Sequence, residues 1–355
     1  MIYLLFAALG INVIPLQKEK LKKIVGGVTI VAMIIMMSMN IATNDQSIYN
    51  NIYMTGMSGT YFERFYLLCS NICQKVGLNY IGFKFVMSSI AFFLLVDICK
   101  RYHIEDLKLP FFLILLSLFC INAEQSRYFF AYVIILYATK WLNKDEPYNA
   151  LKYAIACLAA SQFHTITIVY LVMLVFFLDE DHRALAEFLI FMFAVTMTIV
   201  MVVDSKFFSF VGTLIYMMTG IKRAIMWFDF STKLGFIFPV VLQILMMYGL
   251  WKMEQVARDL DIDEKQQSLI HFTFQFAKVL CVFSPTYVLA TEFARFQRPL
   301  MILFYFCVAI IFKHLDFKEK CRTAAFLVVF IVIFNVFTYG SPVPYFTQIY
   351  APMFQ

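Results

Sequence analysis

Long apolar segments dominate this sequence and decide what kind of structure it can form. A helix needs about 20 apolar residues to cross the hydrocarbon core of a membrane, and many of these segments approach that length. The twelve segments are 2–16, 24–41, 81–99, 109–122, 128–142, 149–163, 165–178, 184–204, 234–251, 271–290, 299–312 and 323–340. The pattern predicts an all-α, polytopic integral membrane protein with about 12 transmembrane helices, several of them short or interrupted.

The composition excludes most soluble classes of protein. Hydrophobic residues make up 62% of the 355 positions and charged residues only 15%, whereas soluble domains carry about 25% charged residues. A cytosolic enzyme, a nucleic-acid-binding protein and a disordered scaffold are therefore disfavoured. The first apolar segment has no basic region before it, so we expect a first span rather than a cleaved signal peptide. We expect one transmembrane domain over residues 1–355.

Basic residues gather in alternate short loops and predict the orientation of the chain. Lys and Arg are enriched in cytoplasmic loops, and 18 of the 29 fall in loops or adjoining helix ends that this rule assigns to the inside. Both termini and the two longest non-spanning segments, 42–80 and 205–233, are then extracytoplasmic. Polar residues recur at helical spacing in 61–76 and 205–223, which predicts interfacial amphipathic helices there.

The segment 148–178 is 31 residues long and contains no Gly or Pro. As one α-helix it would measure about 46 Å, against a hydrocarbon core near 30 Å. A single span would also reverse the orientation downstream and place the basic loops at 252–270 and 313–322 outside. We therefore predict two short helices that meet near His164. Such interrupted helices occur where they line a protein-enclosed cavity.

Ionisable side chains near the membrane are costly, and here most lie at the predicted outer ends of the spans. The candidate functional residues are Asp45, Arg127, His164, Glu292, Arg295 and Arg298. Arg295 and Arg298 are three residues apart and share a helical face, which favours an anionic ligand. Contact with phospholipid headgroups is the alternative. We expect Glu124 to pair with Arg127, its neighbour three residues away.

Each candidate also has a purely structural interpretation. Arg127 could be an interfacial arginine that extends toward the headgroups, and His164 could be a core histidine with its hydrogen bonds satisfied. Asp45 could be a solvated loop acid, and Glu292 could simply offset the two neighbouring arginines. Walker A, GxGxxG, HExxH and GxSxG motifs are absent, and the cysteines show no metal spacing. We expect neither a metal nor a cofactor.

Three segments resemble the EpsG family of Wzy-type polysaccharide polymerases. The run from Asp45 to Tyr53 is similar to the family's Asp-xxx-Tyr-xxx-Tyr stretch after an early span. The run from Arg127 to Ala131 resembles its Arg-Gln-xx-Ala element, and Phe163-His164-Thr165 resembles its Phe-His element.

The resemblance extends less closely to the C-terminal half and has two departures. Arg295 and Arg298 before a late span are similar to the family's C-terminal arginine. Tyr128 stands where Gln is usual, and Ile166 stands where a small hydroxyl residue is common. These departures argue against a chemical role for the side chains at positions 128 and 166.

The resemblance implies a metal-independent glycosyltransferase of the bacterial plasma membrane that polymerises oligosaccharide repeats for exopolysaccharide or capsule. Its substrate would be an oligosaccharide linked to undecaprenyl pyrophosphate, with membrane lipids, a flippase and a chain-length regulator as expected partners. Arginines suit a pyrophosphate group, which assigns that role to Arg127, Arg295 and Arg298. His164 is the first candidate for the general base, with Asp45 or Glu292 as alternatives.

Two other functions share this predicted layout. A transporter or flippase of lipid-linked sugars would need alternating access and usually a site near the membrane midplane. A membrane glycan ligase or acyltransferase would differ only in its donor or acceptor. The gathering of charges at one face favours an enzyme over a transporter.

Overall fold

The computed structural model of this chain describes residues 2–13, 16, 18–40, 43–55, 63–142, 146–204, 209–219, 225–226, 232, 234–260 and 262–339. No strand occurs in these ranges, and helices account for most of the residues in them. The predicted helical, polytopic membrane fold is confirmed.

The α-helices follow one another with few long connections. In chain order they are α1 (Ile2–Val13), α2 (Glu19–Met39), α3 (Asn44–Thr55), α4 (Arg64–Lys75), α5 (Tyr80–Arg101), α6 (Lys108–Leu116), α7 (Phe119–Glu124), α8 (Ser126–Ala138), α9 (Asn149–Ser161), α10 (Glu180–Val203), α11 (Ser209–Thr219), α12 (Ile237–Asp259), α13 (Glu264–Leu280), α14 (Thr286–Leu289), α15 (Arg298–His314) and α16 (Phe317–Tyr339). The 3₁₀ helices are Thr139–Trp141, Thr165–Phe177, Cys281–Phe283 and Thr291–Gln297.

Each predicted apolar segment lies on one or more of these helices, but only six described helices are long and apolar enough to cross a membrane alone. These are Glu19–Met39, Tyr80–Arg101, Glu180–Val203, Ile237–Asp259, Glu292–His314 and Phe317–Tyr339. The total of twelve spans therefore stays a prediction. The other segments are short or broken, as in the α6–α7 pair.

Helix α15 forms the centre of the bundle. Every residue from Arg298 to Ile311 is buried, as expected for a helix that is apolar around its whole circumference. It packs against α6, α12 and α13. Helix α10 is the opposite case, because only Ala194 and Met201 are buried along it. Its remaining apolar side chains form a surface suited to lipid.

The predicted interruption near His164 is confirmed. Helix α9 ends at Ser161, and a separate helix begins at Thr165. This second helix is a 3₁₀ helix of 13 residues. Such helices rise about 2.0 Å per residue, so it spans roughly 26 Å, whereas an α-helix of that length would span about 20 Å. The tighter winding brings a short segment close to the thickness of the hydrocarbon core.

The sequence of this long 3₁₀ helix explains its winding. The run 165–169 consists only of β-branched residues, which disfavour the α-helix. The buried side chains of the helix are Thr167, Tyr170, Met173 and Phe176. They recur at every third residue, which matches the three residues per turn of a 3₁₀ helix. A single apolar face therefore packs against α8 and α9.

The segment 42–80 contains two helices, α3 and α4. The helix predicted over 61–76 is found as Arg64–Lys75, with Tyr66 and Ser70 buried on one face. In the second predicted segment, 205–223, the described part is the helix Ser209–Thr219. The rest of that segment lies outside the described residues.

The loops assigned to the inside meet at one end of the bundle. Glu105 forms ion pairs with Lys23 at 3.8 Å and with Lys313 at 3.7 Å. On the same loop as Glu105, His103 Nδ1 lies 2.5 Å from a carboxylate oxygen of Asp263, which belongs to a fourth loop. Four separate basic loops therefore share one face, as the charge rule requires. Their cytoplasmic location remains a prediction.

Native Cys321 offers a direct test of that orientation, because its thiol is exposed in the basic segment at the start of α16. In a Cys69→Ser, Cys73→Ser background, a membrane-impermeant maleimide should leave Cys321 unlabelled in intact cells and label it after permeabilisation. The control variant Glu292→Cys should be labelled in intact cells. Labelling of Cys321 before permeabilisation would invert the predicted topology.

Candidate functional site

Helix α3 holds the break between α7 and α8, where the first functional side chain lies. The Gln46 side-chain amide donates to the Glu124 carbonyl and to Ser126 Oγ, the latter at 3.1 Å. In return, the Tyr80 hydroxyl donates to Gln46 Oε1 at 2.8 Å. These bonds fix the first turn of α8, which carries Arg127.

Arg127 is buried between two aromatic rings and an acidic side chain. Its guanidinium carbon lies 5.0 Å from the ring centre of Tyr49 and 5.2 Å from that of Tyr66, within cation–π range. One guanidinium nitrogen forms an ion pair with Glu63 at 3.0 Å. The predicted pairing with Glu124 is wrong, because the packing of α4 brings a carboxylate from a distant part of the chain to Arg127.

Glu63 joins three parts of the fold. Besides its ion pair with Arg127, its Oε1 accepts hydrogen bonds from the Thr165 amide at 2.8 Å and the Thr165 hydroxyl at 3.2 Å. It therefore caps the start of the long 3₁₀ helix. Two residues further along the chain, the Phe65 amide donates to the Gln162 carbonyl at 3.2 Å. The start of α4 is thus fixed to both sides of the break that contains His164.

The second pair of candidate arginines stands on the short 3₁₀ helix Thr291–Gln297 and on the first residue of α15. Arg295 forms an ion pair with Glu292 at 3.0 Å, and the Glu292 side chain is 64% exposed. Arg298 is only 8% exposed, and its guanidinium donates to Gln125 Oε1 at 2.9 Å. No carboxylate in the described ranges forms an ion pair with Arg298. A buried guanidinium without a counter-ion is costly, so this position favours an anion.

Tyr128 connects the two groups. Its fully buried ring lies 5.5 Å from the guanidinium carbon of Arg298 and 6.0 Å from that of Arg295. The His164 ring meets it edge to face at a centre-to-centre distance of 5.1 Å. The structure therefore brings together four of the residues singled out in the sequence, namely Arg127, His164, Arg295 and Arg298.

His164 lies in the break between two helices and outside both. Burial lowers its pKa well below the usual range, and the positive charges of Arg127, Arg295 and Arg298 lower it further. The imidazole is therefore neutral at physiological pH. Its Nδ1 is buried and has no hydrogen-bond partner among the residues that the structure describes. A neutral ring with a free nitrogen can accept a proton.

The two other predicted acids lie at the edge of this cluster. Asp45 is half-buried in the first turn of α3 and lies close enough to Tyr49 and Glu124 to act on both electrostatically. Glu292 forms an ion pair with Arg295 and so offsets its charge, which agrees with the structural interpretation of this residue.

Two cavities flank the start of α8, and they differ in size. The larger encloses about 180 Å³. Its polar lining is Gln125, Glu292, Arg295, Arg298 and Thr338, and its apolar lining includes Ile121, Phe334 and Phe337. The smaller, about 20 Å³, lies beside Arg127 and Lys84 and has room for a single water molecule. The charged wall of the larger cavity therefore faces an apolar wall from α7 and α16. No group of three metal-ligating side chains occurs within the described ranges.

Three residues of this cluster were not predicted from the sequence. Glu63 was one of several polar residues on the α4 face, and nothing local marked it as the partner of Arg127. Gln125 was an unremarked neighbour of the predicted arginine. The departure from the usual glutamine argues against a chemical role for Tyr128, yet its ring lies against three of the predicted residues.

Comparison with models of protein families identifies the family of the chain. A model of the EpsG family matches residues 23–350, which include all the candidate residues. The chain belongs to the EpsG family. No curated protein and no solved structure matches it. EpsG membership, together with the apolar helices, makes this an integral membrane protein of polysaccharide biosynthesis.

The Glu63–Arg127 pair makes a testable contribution to the stability of this EpsG protein. Both side chains are largely buried, at 14% and 8% exposed, so Glu63→Ala leaves a guanidinium without its counter-ion. We expect the free energy of unfolding in detergent to fall by about 3–5 kcal/mol. In Glu63→Ala/Arg127→Ala the loss should be smaller than in Glu63→Ala alone.

The matched control is Glu319→Ala, which removes the exposed ion pair with Arg322 and should change the free energy by about 0.5 kcal/mol or less. Equal losses in Glu63→Ala and Glu319→Ala would contradict the assignment of Glu63 as a structural junction.

Proposed function

We propose that this EpsG protein is a polymerase that joins oligosaccharide repeat units carried on undecaprenyl pyrophosphate at the outer face of the bacterial plasma membrane. The observation that carries the proposal is the buried Arg298, which forms no ion pair with a described residue, at a cavity with one cationic and one apolar wall.

The two walls of the cavity suit the two parts of a lipid-linked substrate. Arg295 and Arg298 present planar guanidinium groups, which bind phosphate oxygens in pairs. Phe334 and Phe337 of α16 supply apolar surface beside them for the polyprenyl chain. The cavity is smaller than the roughly 300–1,000 Å³ that encloses a whole ligand. It would therefore receive the pyrophosphate and leave the lipid and the glycan outside.

The reaction breaks the bond between the sugar carbon of the growing chain and its pyrophosphate oxygen. A hydroxyl oxygen of the incoming lipid-linked unit forms the new glycosidic bond, and undecaprenyl pyrophosphate leaves with the bonding electrons. Charge develops on the leaving group, where Arg295 and Arg298 would stabilise it. Since the donor bond is already activated, no nucleotide is consumed.

The acceptor hydroxyl must lose its proton, and His164 is the best placed of the three candidate bases. It is neutral and lies one ring away from both arginines. Asp45 and Glu292 are the alternatives, and the Glu292 carboxylate already forms an ion pair with Arg295. Arg127 already forms an ion pair with Glu63, so it would attract an anionic ligand less strongly than Arg298, which forms no ion pair with a described residue.

The site is concentrated at one end of the bundle, opposite the junction of basic loops. Helix α5 runs between them, from Tyr80 beside Gln46 to Arg101, over 22 residues or roughly 33 Å. A transporter or flippase usually binds its substrate near the midplane, so this placement favours an enzyme. Transport is then the alternative that the assay below distinguishes from polymerisation.

Arg298→Ala should reduce elongation of a lipid-linked repeat by purified protein about 10²–10³-fold, because a fixed cation at the leaving group is lost. Polymer length on gels measures the effect, and Arg298→Lys should recover only part of it. The matched control Arg322→Ala removes an exposed arginine at the other end of the bundle.

Normal polymer length in Arg298→Ala would remove the pyrophosphate assignment. Two results together would indicate a flippase instead: wild-type protein extends no repeat in detergent, and cells without the protein accumulate single-repeat lipid on the inner leaflet.

The dependence of the rate on pH tests His164 as the base. Because its pKa lies below the ordinary value of about 6.5, the neutral form persists as pH falls through 6.5, and the rate should decline only at lower pH. Arg295→Gln removes a nearby positive charge and should move this acid limb to higher pH. His164→Ala should lower kcat more than donor binding. An acid limb that stays unchanged in His164→Ala would exclude the imidazole.

A further inference from the structure

The backbone that carries the two cavity arginines is a weak element by itself. Arg295 lies in a seven-residue 3₁₀ helix, Thr291–Gln297, which passes directly into α15 at Arg298. The hydrogen-bond geometry of 3₁₀ helices is poorer than that of α-helices. The segment therefore needs support from its surroundings to hold two guanidinium groups in place.

Two buried tyrosines supply that support. The Tyr128 hydroxyl donates to the Arg295 carbonyl at 2.8 Å, and the Tyr170 hydroxyl donates to the Phe296 carbonyl at 3.1 Å. The two hydroxyl oxygens are 3.0 Å apart. One tyrosine comes from α8 and the other from the long 3₁₀ helix, and both are almost fully buried.

The next residue is anchored as well. The Gln297 side-chain amide donates to the Pro239 carbonyl at 2.7 Å and to Gln243 Oε1 at 3.1 Å. Three successive residues before Arg298 are thus held by buried hydrogen bonds from three different elements. The tyrosine pair holds the side that faces His164, and Gln297 holds the side that faces α12.

The ring of Tyr128 has a second part in the arrangement. Its hydroxyl fixes the backbone of Arg295, while its ring lies within 6.0 Å of both guanidinium carbons and packs edge to face with the His164 ring. A single side chain therefore sets the spacing between the cationic wall and the imidazole. Tyr170 holds the same segment but makes no described ring contact with these three side chains.

We propose that Tyr128 and Tyr170 are positioning residues, whose paired hydroxyls hold the Arg295–Arg298 segment in register with His164 so that leaving-group stabilisation and proton removal coincide. This inference rests on the proposed polymerase function and names residues outside its reacting groups. In such sites a shift of about 1 Å can cost roughly 10²-fold in rate.

Tyr128→Phe and Tyr170→Phe test the hydroxyls while each ring remains. Each single variant should lower kcat about 10-fold, with KM for the lipid-linked donor changed by about twofold or less, since the losses arise in the transition state. Because either hydroxyl still holds the segment when the other is lost, the double variant should lose more than the product of the two, about 10³-fold.

Tyr305→Phe is the matched control. Tyr305 is also fully buried, its hydroxyl lies 2.8 Å from Ser117 Oγ, and it stands on α15 itself. This variant removes a comparable buried hydrogen bond, so its thermal stability should fall as in the test variants while kcat stays at the wild-type value. If Tyr128→Phe and Tyr170→Phe behave like Tyr305→Phe in the rate assay, the inference is overturned.

A second measurement separates this inference from the polymerase proposal. In ¹⁵N-histidine-labelled protein, the His164 resonance, assigned with His164→Gln, reports how close the arginine charges are. Release of the segment in the double variant should raise the titration midpoint toward about 6.5, and Tyr305→Phe should leave it unchanged. If wild-type protein extends no repeat, the polymerase proposal fails. An unmoved midpoint in the double variant overturns the positioning role in either case.

Discussion

The architecture of the site depends on the interactions of the Glu63 carboxylate. This carboxylate neutralises Arg127 on α8 and caps the long 3₁₀ helix at Thr165, so it fixes two elements whose sequences are far apart. An uncompensated guanidinium at this depth would be costly. The same contact orders the break that holds His164, since α4 also bonds to Gln162 on the other side. The ion pair with Glu63 thus makes Arg127 a part of the scaffold. Arg298 forms no ion pair with a described residue, so it is the cation available to bind a ligand.

Much of the fold follows from hydropathy and charge. Apolar length places the helices, and the basic loops require two helices rather than one over 148–178, because only that choice keeps all basic loops on one face. Ion pairs such as Lys313–Glu105 bear out this grouping of loops. The 3₁₀ form of Thr165–Phe177 was not predicted. Its β-branched start is visible in the sequence and disfavours an α-helix, but the three-residue period of its buried side chains appears only in the folded structure.

The convergence of Arg127, His164, Arg295 and Arg298 could be predicted because topology alone brings the outer ends of the spans together. The ion-pair partners of these residues could not be predicted. The spacing of three residues favours Glu124 as a local partner of Arg127, but helix α7 ends before α8 begins, and the break alters the relative direction of side chains that a continuous helix would align. The role of Tyr128 was also hidden, since a buried aromatic residue in an apolar helix carries no sequence mark that separates it from ordinary core.

The three arginines differ in how their charge is balanced, and this difference orders their roles. Arg127 has a largely buried carboxylate partner, Arg295 has the exposed Glu292, and Arg298 has the neutral amide of Gln125. A phosphate group entering the larger cavity would gain most from Arg298, would compete with Glu292 for Arg295, and would have to break the buried Glu63 pair to reach Arg127. Displacement of Glu292 also frees a solvent-exposed carboxylate beside the site at low cost. In the proposed polymerase, binding of the donor would thereby strengthen the positive field at the leaving group without disturbing the Glu63 junction that holds the scaffold together.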